Sequence, residues 1–366
     1  MLLGLVGLVI AILVNTSDAR SAASQDWSPF VLVTGLLLIG MVANEDGLFS
    51  SAGNQLARIS SSGVVLFIGA AAMIGVVTAV LNLDTSVAFL TPVLVYTARK
   101  HGRGEAPLLY GCLLLSNAGS LFLPGSNLTN LIVLGHVRMS GARFFSDMWP
   151  SALVALVVTA IVIAVVERRE FSVGDKEPEV AEHSHYGLGL AAVIAATLLV
   201  LVLSTPALAV AAVGLIVVGI RVVKRKIDVR HVVDGIGVPL LVGLFGVADA
   251  LGTVGRLWSG PSVLLGHLDL WATAGTAAII SVVVNNLPAA SLLAARAPAH
   301  PFALLIGLNL GPNLFVTGSL AWMLWLRAAR AAGAQPSIAR ACRTALIAVP
   351  LAMAAALAVL SAKGLS

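Results

Sequence analysis

"NAGSLFLPGSNL", residues 117–128, places two Asn, two Gly, two Ser and a Pro inside a long apolar stretch. A second stretch, "NLGPNLFVTGSL" at 309–320, repeats the pattern of Asn-x-Gly followed by Leu-Phe-x-x-Gly-Ser, with one residue inserted. Unwinding a helix within a bilayer frees backbone N–H and C=O groups, each costing several kcal/mol unless satisfied. Such breaks persist where the freed groups meet protein or a solute, and two matched breaks in corresponding positions point to a binding site between repeats.

The composition bounds the fold class. Of 366 residues, 58% are hydrophobic and only 11% charged, with a mean hydropathy of +0.99, whereas soluble domains carry roughly 25% charged residues. The chain therefore reads as an all-α polytopic membrane protein, because its apolar runs are continuous and not the alternating segments of about 10 residues expected of a membrane β-barrel. The net charge of +5 sits in short loops, as membrane orientation requires, so nucleic acid is not an expected partner. Two cysteines, Cys112 and Cys342, exclude a disulfide framework and a thiolate metal site. His183 and His185 fall in a polar linker and read as solvated.

Apolar segments fall near 2–14, 30–43, 63–81, 86–98, 107–135, 150–166, 187–203, 206–220, 235–251, 262–284, 287–295, 302–326 and 344–362. Some are shorter than the roughly 20 residues that a crossing needs. Segments 63–81 and 86–98 meet at "LNLDTS", and 262–284 and 287–295 meet at "VVNNLPA". Each pair reads as a re-entrant hairpin, with tips near 82–85 and 285–288. Segments 107–135 and 302–326 read as broken transmembrane helices. The expected organisation is an inverted repeat with two opposed hairpins and about nine crossings. The first repeat covers 1–166, a cytoplasmic linker 167–186, an extra helix 187–203, and the second repeat 204–366.

Charge orients this layout with a cytoplasmic amino terminus. One side then holds Arg58, Arg99, Lys100, Arg103, Arg168, Arg169, Lys176, Arg221, Lys224, Arg225, Lys226, Arg230, Arg327, Arg330, Arg340 and Arg343. The other keeps Arg20, Arg138, Arg143, Arg256, Arg296 and Lys363. The excess belongs inside.

The two tips and two breaks are expected to enclose one polar site. Its substrate-binding candidates are Asn82, Thr85, Asn117, Gly119, Ser120 and Asn127 from the first repeat. The second supplies Asn285, Asn286, Asn309, Gly311, Asn313, Thr317, Gly318 and Ser319. Asn and Ser bring neutral donors and acceptors, Gly admits close backbone approach, and half-helix starts bring partial positive charge. The alternative, that Gly and Pro only kink helices for packing, stands beside this reading.

At these residues the chain resembles the arsenite and antimonite permeases of the ion transporter superfamily, related to the dicarboxylate/sodium symporter fold. "NNLPA" at 285–289 and "LNLGPNLFVTGSLAWMLWLR" at 308–327 carry the second-half resemblance; "SLFLPGSNLTNLIV" at 120–133, "FFSDMWPSALVAL" at 144–156 and "NEDGLFSSAGNQLAR" at 44–58 carry the first. The resemblance implies an efflux permease working by alternating access, without cofactors, in the inner (plasma) membrane. A separate ATPase subunit and a homodimer are the partners it admits. This chain lacks the Pro between Thr317 and Gly318 that the family pattern carries, and its first tip, "LNLDT", differs from the usual type.

For coupling, Asp84 is the ionisable residue nearest a tip, and acids within a membrane are functional candidates. Asp84 either exchanges a proton or caps the half-helix that follows. Glu45, Asp46 and Asp249 are further proton-coupling candidates, with a solvated face as their alternative. No Lys or Arg falls in the expected site, which favours a neutral or weakly charged solute such as As(OH)₃. The expectations are a carrier expelling arsenite or antimonite in exchange for protons, or a proton- or sodium-coupled carrier of a small inorganic or carboxylate anion. A channel-like or structural membrane protein is the other class. No nucleotide loop, metal cluster or nucleophile constellation points to an enzyme.

Overall fold

A computed structural model describes all residues except 61, 101, 138, 173–186 and 366. Every regular element among the described residues is helical. Most of the linker expected at 167–186, with Lys176, His183 and His185, lies outside the described residues, as does Arg138.

The first half begins with α1 (Leu2–Val14), α2 (Thr16–Glu45) and α3 (Leu48–Ile59). The segment expected at 30–43 is thus only the inner part of a 30-residue helix. Asn15 starts it, its side chain accepting from the Ser17 and Asp18 N–H groups. Polar residues of the early turns hid this start, since Ser17, Arg20 and Ser24 face outward while Ala19, Ala22, Asp26 and Phe30 turn inward.

A hairpin follows: α4 (Gly63–Val80) turns at Leu81–Asn82 and returns as α5 (Leu83–Lys100). Both open ends meet Phe171. Gly63 abuts its carbonyl, and Arg103 Nη1 donates to that oxygen at 3.1 Å. Next come α6 (Ala106–Gly119), a non-α stretch, α7 (Leu128–Leu134) and α8 (Gly141–Val166).

The second half holds α9 (Leu188–Val202), α10 (Ala207–Val223), α11 (Val229–Ile236), α12 (Val238–Leu257) and the short α13 (Gly260–His267). Its hairpin is α14 (Leu270–Val284) and α15 (Asn286–Leu293). Then α16 (Pro301–Leu310), a second non-α stretch, α17 (Leu320–Ala331) and α18 (Ile338–Ala362) complete the chain. Among the described residues, five helical stretches are long and apolar enough to cross a membrane: α2, α4, α8, α11–α12 taken together, and α18.

The hairpins open at opposite ends of the bundle. At one end Arg340, in the first turn of α18, pairs with Glu167 just beyond α8, beside the open end of α4–α5. At the other end Lys363 Nζ donates to the Asp147 carbonyl at 2.9 Å, in the early turns of α8. The end of α15 lies on that second side, tied to the end of α7 because Gln25 Nε2 donates to the carbonyls of both Ile132 and Ala294. Between the two sides, α8 alone rises about 39 Å over 26 residues.

Packing is paired between halves. Helix α1 lies on α12 as α10 lies on α2, α4 packs α6 as α14 packs α16, and α5 meets α17 as α15 meets α7. Glycines set the closest crossings. Gly4 and Gly246 approach with no room for a side chain between α1 and α12, and Gly35 and Gly214 do the same between α2 and α10. Small residues at crossings are what helix association in lipid requires, since backbones then approach closely.

Candidate transport site

Four helices begin at the centre of the bundle, at the two hairpin tips and after the two breaks. Asn82 caps α5, its Oδ1 accepting from the Thr85 N–H at 2.7 Å. Asn127 caps α7 by accepting from the Thr129 N–H at 3.2 Å, and Asn285 caps α15 by accepting from the Leu287 N–H at 3.4 Å. Ser319 precedes α17 in extended conformation, and its buried Oγ bonds nothing. Asn is favoured at such positions because its side-chain oxygen satisfies an orphan N–H of the first turn. Asn285 holds a positive φ of 81° with ψ 148°, a backbone conformation that L residues rarely adopt.

A small cleft of about 30 Å³ lies where these starts meet. Leu83 and Asp84 of α5, Asn127 and Leu128 of α7, Asn285, Asn286 and Leu287 of α15, Ser319, Leu320 and Ala321 of α17, and Leu244 of α12 line it. Each helix start carries up to about half a positive charge. The short α7 and α15, of seven and eight residues, contribute less than α5 and α17. Asp84, in the first turn of α5, faces it with a carboxylate. Among the described residues lining the cleft there is no Lys or Arg.

Beside the cleft lies a buried amide network. Asn309 accepts from Asn127 Nδ2 at 2.7 Å and donates from Nδ2 to Asn130 Oδ1 and the Leu305 carbonyl, both at 2.8 Å. Ser120 Oγ sits 2.5 Å from Asn309 Oδ1 and 2.7 Å from the Asn117 carbonyl, so its single proton serves one of them. Asn130 Nδ2 donates to the Ser120 carbonyl at 2.7 Å. Through Asn309 the second break is held against the first. Asn130 was absent from the residues expected at the site; its place one turn beyond Asn127, on the face of α7 toward α16, was the available signal.

The expected residues divide accordingly. Asp84, Asn127, Asn285, Asn286 and Ser319 line the cleft. Asn82, Thr85, Asn117 and Asn313 are buried near the breaks and tips, each keeping one side-chain atom without a hydrogen bond: Asn82 Nδ2, Thr85 Oγ1, Asn117 Oδ1 and Asn313 Oδ1. Ser120 and Asn309 belong to the network.

Gly119 and Gly311, expected to admit the solute, face neighbouring helices. A Cβ on Gly311 would stand 2.5 Å from Ala278 Cα of α14, and one on Gly119 would stand 3.2 Å from Gly75 Cα of α4. Thr317 is exposed and donates to the Val282 carbonyl at 2.6 Å, while the Gly318 carbonyl accepts from the Asn286 N–H at 2.8 Å. These two stitch the second break to its hairpin.

The acids separate as well. Glu45 is exposed, 3.4 Å from His231. Asp46, for which a solvated face was the alternative, instead pairs with Arg221 and accepts from the Gly189 N–H at 2.7 Å. Asp249, placed by sequence near the end of its helix, is fully buried. Its neighbour Asp26, 1% exposed on α2, is an acid that sequence reading missed because the start of α2 looked like a loop.

Broken helices whose starts and Asn caps converge between two opposed hairpins make this a membrane transporter. Solved structures share the architecture. The YdaH transporter of Alcanivorax borkumensis matches with a TM-score of 0.57 over 95% of this chain and 87% of that one, at 14% identity. MtrF of Neisseria gonorrhoeae, described as one of a class of antimetabolite efflux pumps, matches at 0.55 over 96% and 83%, at 16% identity. The chain belongs to the citrate transporter family (CitMHS), whose family model matches residues 1–326. By sequence it is 24% identical to an arsenical pump membrane protein of Escherichia coli over 88% of this chain and 83% of that protein. It is 27% identical to the inner membrane protein YbiR of Escherichia coli over 90% and 87%.

Proposed function

We propose that this transporter is a secondary carrier that expels a small metalloid hydroxide, arsenite or antimonite, in exchange for protons by alternating access. The observation that carries the reading is the cleft of about 30 Å³ at the helix starts, lined by Asp84 and by neutral amide and hydroxyl groups. A neutral hydroxide brings both donors and acceptors. Free N–H groups at helix starts and Ser319 Oγ suit its oxygens, and the Asp84 carboxylate suits its hydrogens. A proton on Asp84 turns one acceptor into a donor and removes its charge, so protonation and solute binding are linked, which is the basis of exchange. The similarity to arsenical pump membrane proteins supports this substrate class.

A second reading is a carrier of a small anion, coupled to protons or sodium. Three helix starts around the cleft favour it, as does the family's description as citrate transporters. Against it stand Asp84 and the small volume of the cleft.

The paired contacts of the halves support an inverted repeat with units at 1–166 and 204–366, joined by a linker at 167–186 and the extra helix 187–203. The charge distribution supports a cytoplasmic amino terminus, and the family resemblance supports an inner (plasma) membrane location. A homodimer and a separate ATPase subunit remain part of the proposal through the family resemblance.

The deciding experiment loads sealed vesicles containing the purified protein with arsenite and imposes a pH gradient, with citrate, succinate and phosphate in parallel. Arsenite flux that follows the gradient supports the carrier. Citrate or succinate flux without arsenite flux replaces it with the anion reading.

A further inference from the structure

Away from the cleft, α2, α12 and α15 enclose a second set of buried polar groups. Asp249 of α12 is fully buried and neither of its carboxylate oxygens makes a hydrogen bond. Asp26 of α2 lies within its electrostatic reach, 1% exposed, with Oδ2 unpartnered. Ser291 of α15 approaches Asp26, and its Oγ, on a residue 2% exposed, has no hydrogen-bond partner of ordinary geometry. Arg256 acts on both acids, but its guanidinium is engaged elsewhere: Nη1 donates to the Gly252 carbonyl at 2.9 Å, and Nη2 to Gln25 Oε1 at 2.5 Å.

Charge counting then decides what the pair needs. Two carboxylates and one guanidinium leave one negative charge buried, and an uncompensated buried charge costs several kcal/mol. The other charged groups of the neighbourhood do not balance it. Asp18 adds negative charge near Arg256 but is half-exposed and accepts from Asn15 Nδ2. Arg296, exposed, donates to the Arg256 carbonyl, and His136, exposed, lies 2.9 Å from the Ala294 carbonyl. His267 ends α13 exposed. Helices α1 and α7 carry no charged residue, and Arg221 of α10 is taken by Asp46.

We propose that Asp26 and Asp249 share one exchangeable proton, forming a proton site separate from Asp84 that controls the seating of α15. A proton rather than a metal cation suits the place, because the Arg256 guanidinium repels a cation, whereas one proton removes the excess negative charge. A cavity of about 570 Å³, lined by Ser24, Gln25, Ser28, Leu131 and Leu134 among others, reaches Gln25. Gln25 therefore stands between that cavity and Arg256, beside the acid pair.

The site sits where it can act on transport. Helix α15 presses on α12 at Gly255, where an added Cβ would meet Ala295 Cβ at 2.6 Å and the Leu292 carbonyl at 2.7 Å. Ser291 lies on the same short helix whose first residues line the cleft. Loss of the proton leaves like charges facing each other across α2 and α12, which loosens the seat of α15. The coupling step rests on the carrier reading above; the proton site does not.

Two measurements keep these apart. In the first, infrared difference spectra of the purified protein between acid and alkaline pH follow the carbonyl stretch of protonated carboxyl groups, with arsenite absent. One component of that band disappears in Asp26→Asn and equally in Asp249→Asn, since either leaves a single carboxylate balanced by Arg256. It persists in Asp46→Asn and Asp84→Asn. A band of which no component is lost in either Asp26→Asn or Asp249→Asn overturns the site. So does a wild-type band replaced by a sodium-dependent change when potassium buffer is exchanged for sodium. If one variant fails to fold, the other and the wild-type sodium comparison still decide.

In the second measurement, vesicles report arsenite/arsenite exchange at equal pH alongside flux driven by a pH gradient. Gradient-driven flux in Asp249→Asn should fall by about tenfold or more while equal-pH exchange persists, the range expected of a broken coupling. Equal loss of both fluxes in that variant, with the band component gone, overturns the coupling role. Absent arsenite flux in the wild type overturns the carrier reading and leaves the infrared result standing on its own.

Discussion

Asn309→Ala tests whether the buried amide network holds the two breaks together. The wild-type side chain bonds Ser120, Asn127 and Asn130, all in the first half. A hydrogen bond between helices in a bilayer averages about 0.6 kcal/mol, so three contribute about 2 kcal/mol. Truncation also strands two buried polar groups, Asn127 Nδ2 and Asn130 Oδ1, at about 1 kcal/mol each or more. The expected destabilisation therefore lies between about 2 and 5 kcal/mol. Reversible unfolding in mixed detergent micelles measures it, with Asn313→Ala as the comparison, because Asn313 makes a single bond, to the Leu114 carbonyl at 3.2 Å. A double-mutant cycle with Ser120→Ala isolates the cross-repeat bond. If Asn309→Ala costs no more than Asn313→Ala, the network does not hold the breaks together, and the reasoning fails.

Three further outcomes follow from other contacts. Gly311→Ala should destabilise by about 1–3 kcal/mol, because the new Cβ meets Ala278 backbone at 2.5 Å, whereas Gly275→Ala, with nothing within 4 Å, should be neutral; equal thermal stability of the two variants refutes it. Arg221→Met should cost about 3–5 kcal/mol by leaving Asp46 buried without its cation. Pairing it with Asp46→Asn should recover most of that loss in unfolding measurements, and no recovery would show that the pair is uncoupled. Asp84→Asn should abolish flux driven by a pH gradient while a binding isotherm for arsenite survives; loss of both would assign Asp84 to stabilising the first turn of α5.

Much of the architecture was legible because lipid makes the rules strict. Polar, Gly-rich interruptions of apolar runs have few physical explanations in a bilayer, so the breaks at 117–128 and 309–320 and the tips beside Asn82 and Asn285 could be read directly. Side-chain direction was less legible. Gly119 and Gly311 carry the same signal whether a solute or a helix lies opposite, and the structure puts helices there. Asp26 was hidden because the first turns of α2 mix outward-facing polar residues with small buried ones, and such a stretch scores as a loop. Asp249 and Asp46 occupy similar sequence settings, yet one lies next to the buried acid Asp26 and the other is matched by an arginine. That difference depends on partners far away in the chain.

The two hairpin tips are held unequally. At the second, Asn285 Nδ2 donates to the Thr317 carbonyl, Thr317 Oγ1 to the Val282 carbonyl, and the Asn286 N–H to the Gly318 carbonyl. At the first, the corresponding link is Ser126 Oγ donating to the Ala79 carbonyl at 3.1 Å. A carrier built from two like halves would be expected to open at comparable speeds toward its two compartments. Here the barrier for freeing the second tip includes three hydrogen bonds where the first includes one. In the proposed carrier cycle, turnover should therefore be lopsided in time: solute exchanges quickly on the side gated by the looser tip, and the slow step of each cycle belongs to the side gated by the stitched one.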